Sequence, residues 1–191
     1  MTVPHSDRLI VVVGPSGAGK DSVLQAWRRA LPAASAPQPV RRVITRPSDP
    51  HGENHEAVDA AAFARLADAG AFVFQWFAHG LHYGIRRDAL APLARGDWVV
   101  MNGSRAHLPA LRRDAPHARV VEVTAPPAVL AARLAGRARE DAAAVQARLA
   151  RATDASGADL VVHNTGDLAD AAATLQRWWS GLAEGRRRVQ A

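Results

Sequence analysis

A chain of 191 residues fits one domain with room for a sizeable core. It holds no cysteine, which excludes disulfides and thiolate metal sites, and no apolar run of membrane-spanning length. The net charge of +6 points to an anionic ligand, and with 5% aromatics and no basic stripe interleaved with them, nucleic acid is the weaker reading and is not expected as a partner.

The first seven residues are polar and lack the apolar core of a signal peptide, so a cytoplasmic location is expected. Residues 8–13 read as a strand, because Leu9 to Val13 is an unbroken apolar run of the kind that buried parallel strands show. The next stretch is Gly14-Pro15-Ser16-Gly17-Ala18-Gly19-Lys20-Asp21-Ser22, and it leads into a helix over 20–31. Strand, glycine-rich loop, lysine and helix in this order form a phosphate-binding P-loop. The glycines let backbone N–H groups converge without a Cβ in the way, and the helix adds its positive dipole end. Lys20 is the only lysine in the chain and brings a compact, mobile ammonium to the outer phosphates of a nucleotide. The residue after that lysine is ordinarily Ser or Thr, whose hydroxyl binds Mg²⁺. Here Asp21 stands there and Ser22 follows, so a hard carboxylate ligand and a hydroxyl one position later are both candidates for the metal.

Beyond the P-loop, 32–39 is a Pro/Ala-rich connection and 40–44 a second strand carrying Arg41 and Arg42. Thr45 to His55 is loop, 60–69 has helical spacing, and 71–77 is an aromatic strand whose Phe72, Phe74 and Trp76 face a core. Residues 78–85 read as a glycine-punctuated turn that exposes Tyr83. A short helix over 88–95 closes at Gly96, and a buried strand over 98–101 ends in Asn102-Gly103-Ser104-Arg105. Helix over 105–113, strand over 119–123 and helix over 126–135 follow, the last with proline near its first turn. A charged break at 137–141 separates that helix from another over 142–152. The last strand, 159–162, leads to His163-Asn164-Thr165, and the closing helix runs over 168–182 with Trp178 and Trp179 as packing residues. Arg186, Arg187 and Arg188 fall in a frayed tail.

Strands alternating with helices predict an α/β fold, a parallel sheet with helices on both faces and ligands at the C-terminal ends of its strands. The segment 46–96 exceeds a simple crossover and is expected to be an inserted substrate-binding lobe. The core is then 1–45 with 97–185, all within one domain over 1–191.

Arginine forks match phosphate bidentately. On that ground Arg46 and Arg105 are favoured as phosphate ligands, while Arg41 and Arg42 are balanced between that role and a solvated surface. Arg133, Arg137, Arg139 and Arg148 straddle the charged break, and a lid over about 133–148 that closes on transferring phosphates is favoured over a charged hairpin tip. His51, His55, His79 and His82 lack the convergence with carboxylates that a metal site needs, so substrate hydrogen bonding or loop polarity is the preferred reading. Glu53 and Glu56 suit sugar-hydroxyl or Mg²⁺ contacts.

The P-loop, Thr45-Arg46-Pro47, Gly52-Glu53, Trp76, Tyr83-Gly84 and the series Arg133, Arg137, Arg148 resemble the guanylate kinase superfamily over nearly the whole chain. More closely, Gly52 to Ala57, Ala78 to Gly84, Val100 to Leu108 and the Gly-Lys-Asp-Ser of the loop resemble the ribose 1,5-bisphosphate phosphokinases. That family makes 5-phosphoribosyl 1-diphosphate from ribose 1,5-bisphosphate and ATP in phosphonate breakdown. The resemblance implies a guanylate kinase-like P-loop fold with an inserted substrate lobe and a helical lid, ATP and Mg²⁺ as cofactors, and a phosphosugar acceptor. It implies that Lys20 and the loop amides from Gly14 to Ser22 hold the ATP phosphates, and that Arg137 and Arg139 close on the γ-phosphoryl group. It further implies that Arg46, Tyr83 and Arg105 hold the acceptor phosphates, with Arg42, Glu53, Asn102 and Ser104 beside them, and that Asn164 lies near the adenine.

Departures from guanylate kinase carry as much information as the matches. Gln75 stands where that family has an acidic base reader before the tryptophan, and Ile85 where it has Ser or Thr after Tyr-Gly. Asp49 falls near its second arginine, and Asn102 at its strand-end aspartate. A site without base readers leaves the polar edges of guanine unpaired. The acceptor is therefore expected to carry phosphate without guanine. A guanylate kinase with altered base contacts and a non-catalytic interaction module of the same fold remain the alternatives. The pattern sets no oligomeric state.

Overall fold

The computed structural model describes residues 2–33, 35–48, 53–135 and 157–189. In chain order its elements are β1 (Leu9–Val13), α1 (Lys20–Ala30), β2 (Gln38–Pro39), β3 (Val43–Ile44), β4 (Glu56–Ala57), α2 (Ala60–Asp68), β5 (Phe72–Ala78), β6 (Leu81–Arg86), α3 (Ala91–Ala94), β7 (Val99–Asn102), α4 (Leu108–Asp114), β8 (Arg119–Thr124), α5 (Pro127–Ala135), β9 (Leu160–His163) and α6 (Leu168–Val189). Five strands form one sheet in the order β2-β7-β1-β8-β9, with β2–β7 and β8–β9 parallel. The other four form a second sheet in the order β4-β3-β6-β5. Two compact units result: Met1–Val11 with Pro37–Arg119, and Val12–Ala36 with Val120–Ala191. Among the described residues no helix is long and apolar enough to cross a membrane.

In the second unit the helices α1 and α6 pack on each other. Val23 and Trp27, four residues apart on one helical face, are both fully buried. Trp27 Nε1 donates to Gln176 Oε1 at 3.0 Å, and its ring meets Trp179 edge to face with centroids 6.0 Å apart. Leu175 fills the same interior. The closing helix runs through Val189, so 186–188 belong to it and not to the expected frayed tail.

The first unit carries the second sheet, where the sequence was hardest to read. The expected strand over 40–44 divides in two. Gln38 and Pro39 pair with Val99 and Val100 at the edge of the main sheet, where a residue without an N–H is tolerated. Val43 and Ile44 belong to the second sheet, paired with Gly84 and Tyr83. The expected turn over 78–85 contracts to His79-Gly80. Both have positive φ, 53° and 73°, as a two-residue turn that follows strand twist requires. Residues 81–86 are therefore strand β6, pairing with β5 from Ala78↔Leu81 to Phe72↔Arg86.

A bulge between Phe72 and Phe74 turns Phe72 to the opposite face from Phe74 and Trp76. Phe72 joins Val43 and Phe63 in a small core backed by α2, its ring stacked on Phe63 at 4.7 Å. Gly84 makes room for it, since a Cβ there would lie 2.6 Å from the Phe72 ring. The helix α2 starts cleanly because Asp59 accepts from Ala62 N at 2.6 Å as its N-cap. The other face of this sheet carries Tyr83 and Trp76, a directly opposed pair.

Replacing Trp27 by Ala should cost about 3–5 kcal/mol, because a fully buried indole leaves a large cavity between α1 and α6. Urea unfolding of the wild type and Trp27→Ala gives the difference. A loss below about 1 kcal/mol would show that the two helices are not held by this contact.

Candidate active site

The phosphate loop lies in the second unit and follows directly from β1. Gly14 has φ 143°, and a Cβ there would overlap the carbonyl oxygen of Val123 on β8. Gly19 has φ 81°, and a Cβ there would lie 2.5 Å from Asn164 Nδ2. Only glycine meets both demands at once, positive φ and no side chain. The helix α1 then begins at Lys20 behind Gly19, an N-cap residue that makes no side-chain cap bond, and a helix N-terminus of this kind suits an anion. Lys20 Nζ donates to the carbonyls of Gly14 and Pro15, both at 3.0 Å, so its ammonium lies back over the loop that it serves. Asp21 and Ser22 are exposed in the first turn of α1. A carboxylate and a hydroxyl are hard oxygen donors that fit Mg²⁺, and either can take that role.

Asn164, which follows β9, is buried and braces this loop. Its N–H donates to Thr124 O at 2.8 Å and its Nδ2 to Ala18 O at 2.8 Å. The resemblance implies that Asn164 lies near the adenine; in the structure its amide also meets the backbone of the phosphate loop. Arg133 on α5 brings Nη1 to 4.0 Å from the position that a Cβ on Gly19 would take, and that nitrogen is buried without a hydrogen-bond partner. Arg137, Arg139 and Arg148, with residues 136–148 of the expected lid, lie outside the described residues, as do Asp49, His51 and Gly52.

The arginine cluster lies in the first unit. Arg42 Nε donates to Glu53 Oε1 at 2.6 Å and Arg42 Nη2 donates to Oε2, a bidentate pair in which both side chains are nearly buried, at 12% and 13% exposure. Arg42 therefore does not stand free at the end of a main-sheet strand, and the Glu53 carboxylate is engaged by it. Arg46 Nη2 lies 3.9 Å from the same Oε2, while Arg46 Nε is buried without a hydrogen-bond partner. Glu56 is held by Arg86 at 2.8 and 2.6 Å, and the Arg86 guanidinium keeps its carboxyl below the usual carboxylate range. Asn102 is buried at the end of β7, Ser104 precedes the turn of 3-10 helix Arg105–His107, and Arg105 opens it.

Tyr83 corrects an expectation. It is only 8% exposed, because six residues of strand replace the expected turn. Its ring stacks on Trp76 with centroids 5.3 Å apart and planes 3° apart, and the Arg42 guanidinium lies 5.1 Å over it. Trp76 stacks in turn on His107 at 5.2 Å. Tyr83 is the cross-strand partner of Trp76, and His107 also meets the Phe74 ring edge to face. Arg42, Tyr83, Trp76 and His107 thus form one row. His107 was not singled out in the sequence, and no spacing signal marks it. Burial pushes its imidazole pKa down, and Nε2 is buried without a partner.

A parallel α/β sheet with a glycine-rich loop cradling an anion site at the start of α1 defines the P-loop nucleotide-kinase class of fold. The guanylate kinase family profile matches residues 6–180, and the chain belongs to that family. Ribose 1,5-bisphosphate phosphokinase PhnN of Acidiphilium cryptum is 53% identical over 164 residues, 85% of this chain and 86% of that protein. Its namesake in Burkholderia pseudomallei is 44% identical over 93% of this chain and 98% of its own length. A bifunctional ribose 1,5-bisphosphokinase-thymidine phosphorylase of Azorhizobium caulinodans is 47% identical over 79% of this chain, which spans 22% of that protein. Among solved structures, the guanylate kinase of Anaplasma phagocytophilum shares the fold with a TM-score of 0.67 at 17% identity, covering 91% of this chain and 84% of its own.

Two predictions come from this geometry. Asn164→Ala leaves the Ala18 carbonyl without its side-chain donor, so stability should fall by about 1–3 kcal/mol and affinity for Mg-ATP should weaken with it. Calorimetric titration with Mg-ATP alongside thermal melts checks both, and unchanged nucleotide binding would remove Asn164 from the site. The second concerns pH. An imidazole whose native pKa lies below the unfolded value of about 6.5 is protonated more readily in the unfolded chain. The stability contributed by neutral His107 is whole above about 6.5 and is lost as pH falls from there through its native pKa. Between pH 7 and 5 the wild type should therefore lose more stability than His107→Phe. Equal losses in urea midpoints would show that His107 stays neutral-indifferent to folding.

Proposed function

We propose that this chain transfers the γ-phosphoryl group of ATP to ribose 1,5-bisphosphate, giving 5-phosphoribosyl 1-diphosphate and ADP. The observation that carries this reading is 53% identity, across 86% of its length, to a protein named ribose 1,5-bisphosphate phosphokinase. The residues support it from two sides. The phosphate loop, Lys20 and the orphan donor of Arg133 suit nucleotide phosphates. Gln75 and Ile85 stand in place of guanine readers, while Arg46 keeps an unspent donor for an acceptor phosphate.

An oxygen of the C1 phosphate attacks the γ-phosphorus, a new P–O bond forms, and the bond to the β-phosphate oxygen breaks with ADP as leaving group. The attacking oxygen is already anionic, so no side chain has to remove a proton. Catalysis is then positioning and charge neutralisation. Mg²⁺, which Asp21 or Ser22 would hold, would supply charge neutralisation for the phosphates. Lys20 and the loop amides hold the nucleotide phosphates, Asp21 or Ser22 holds the metal, and Arg46 holds the acceptor with Arg105 beside it. The reaction consumes ATP, which fits a cytoplasmic location, and it fits the phosphonate breakdown served by the family that the sequence resembles.

Three assays test the reading. Lys20→Ala should keep its circular dichroism spectrum and lose nearly all turnover; full activity in a folded variant would remove the P-loop from the mechanism. Arg46→Ala should raise KM for ribose 1,5-bisphosphate while leaving KM for ATP nearly unchanged. With both acceptors present, ribose 1,5-bisphosphate should be preferred over GMP by on the order of a thousandfold in kcat/KM, since an unmatched base edge costs several kcal/mol. A ratio favouring GMP would restore guanylate kinase as the assignment.

A further inference from the structure

His55 lies in the loop between β3 and β4 and is only 4% exposed. Its ring closes the loop that carries Arg46 and Glu53. Nε2 stands 3.0 Å from the carbonyl oxygen of Arg46, and Nδ1 stands 2.8 Å from the carbonyl oxygen of Glu53. Arg46 Nη2 approaches the same Nδ1 at 3.3 Å. The carbonyl of His55 in turn accepts from Arg41 Nη2 at 3.1 Å. One buried side chain therefore joins two backbone points, nine and two residues back, to the guanidinium of Arg46.

The chemistry of these contacts is specific. A carbonyl oxygen only accepts, so Nε2 donates to Arg46 O. Nδ1 is contested, because the Glu53 carbonyl calls for a proton on it and Arg46 Nη2 calls for its lone pair. The Arg46 guanidinium is thereby held at the edge of the imidazole, with Nε buried and unpartnered and the side chain 37% exposed. An arginine–phosphate pair depends on where the planar fork points.

We propose that His55 is the positioning residue for the acceptor phosphate, setting through its ring where the Arg46 fork stands. This rests on the reading above that Arg46 binds that phosphate. A histidine that merely pinned a loop would act on stability and on both substrates alike. A positioning residue acts on the acceptor, because misplacing a binding group by about 1 Å costs up to about a hundredfold.

The test uses His55→Ala, His55→Gln and His55→Asn, with KM for ribose 1,5-bisphosphate, KM for Mg-ATP, kcat and melting temperature measured for each. His55→Ala should raise the acceptor KM about tenfold and leave KM for Mg-ATP within about twofold. His55→Gln, whose amide N–H can reach the Arg46 carbonyl as Nε2 does, should recover most of the loss. His55→Asn reaches only toward Glu53 and should recover less. An unchanged acceptor KM in folded variants overturns the proposal, as does a rise in both KM values that tracks melting temperature. Failure of all three to fold would assign His55 to the core of the loop and overturn it equally. Arg46→Ala, assayed in parallel, separates the two claims. If it leaves the acceptor KM unmoved, the reading of Arg46 fails. If it raises that KM and the His55 variants do not, only the positioning role fails.

Discussion

The close approach of backbone to backbone at Gly14 is the constraint on which the nucleotide side of this protein depends. A carbonyl oxygen of β8 stands where any side chain at position 14 would begin. The chain can therefore leave β1 only through a glycine with positive φ. Gly19 repeats the demand at the far end of the loop, against the amide of Asn164. The course of the loop is thus a consequence of packing. Asn164 completes the arrangement by taking up the Ala18 carbonyl, which keeps an acceptor from competing for the space of an anionic ligand.

The acceptor side is built by different means. Two local irregularities decide which residues share a face of the second sheet: the bulge at Phe72/Phe74 and the two-residue turn at His79-Gly80. The bulge lets three aromatics in one short strand serve two surfaces. Phe72 goes to the α2 core, while Phe74 and Trp76 face His107. The turn sets the register that opposes Trp76 to Tyr83. A slip of one residue would exchange the two faces and dissolve the row, which is why Gly84 matters: it admits Phe72 beneath the strand and so pins that register.

How far all this was legible in the sequence depends on the range of the interaction. The phosphate loop was legible because its chemistry is local: strand, glycines, lysine and helix are contiguous, and each carries its own signal. The single lysine marked the same place. The arginine cluster was legible as a set of candidates but not as an arrangement. Arg42 and Glu53 are eleven residues apart, and nothing in their spacing announces a bidentate pair. Tyr83 misled because it sits beside Gly84, and a second glycine four residues after Gly80 reads as turn chemistry. Gly84 is there for the space that Phe72 needs, a contact between strands that no local pattern encodes. The split of residues 38–44 between two sheets is of the same kind. Apolar periodicity can find a strand, but only tertiary pairing says which sheet it joins.

The row from Arg42 to His107 bears on the acceptor through what it leaves unoffered. A nucleobase is recognised by stacking on an open ring face and by hydrogen bonds to its edges. Here Tyr83 is in contact with Arg42 and Trp76, and Trp76 with Tyr83 and His107. Each of these two rings already has two such neighbours, which compete with a base for stacking. The charges follow the same logic. Glu53 engages Arg42 and Glu56 engages Arg86, which leaves these carboxylates poorly placed to read a guanine edge. Arg46 differs, since its fork is held by His55 and retains a donor without a partner. A surface whose rings pack on one another and whose carboxylates are engaged, beside an arginine with capacity to spare, favours an acceptor recognised by its phosphates. Ribose 1,5-bisphosphate carries two phosphates and no base, and its chemistry asks for nothing that this arrangement has already committed elsewhere.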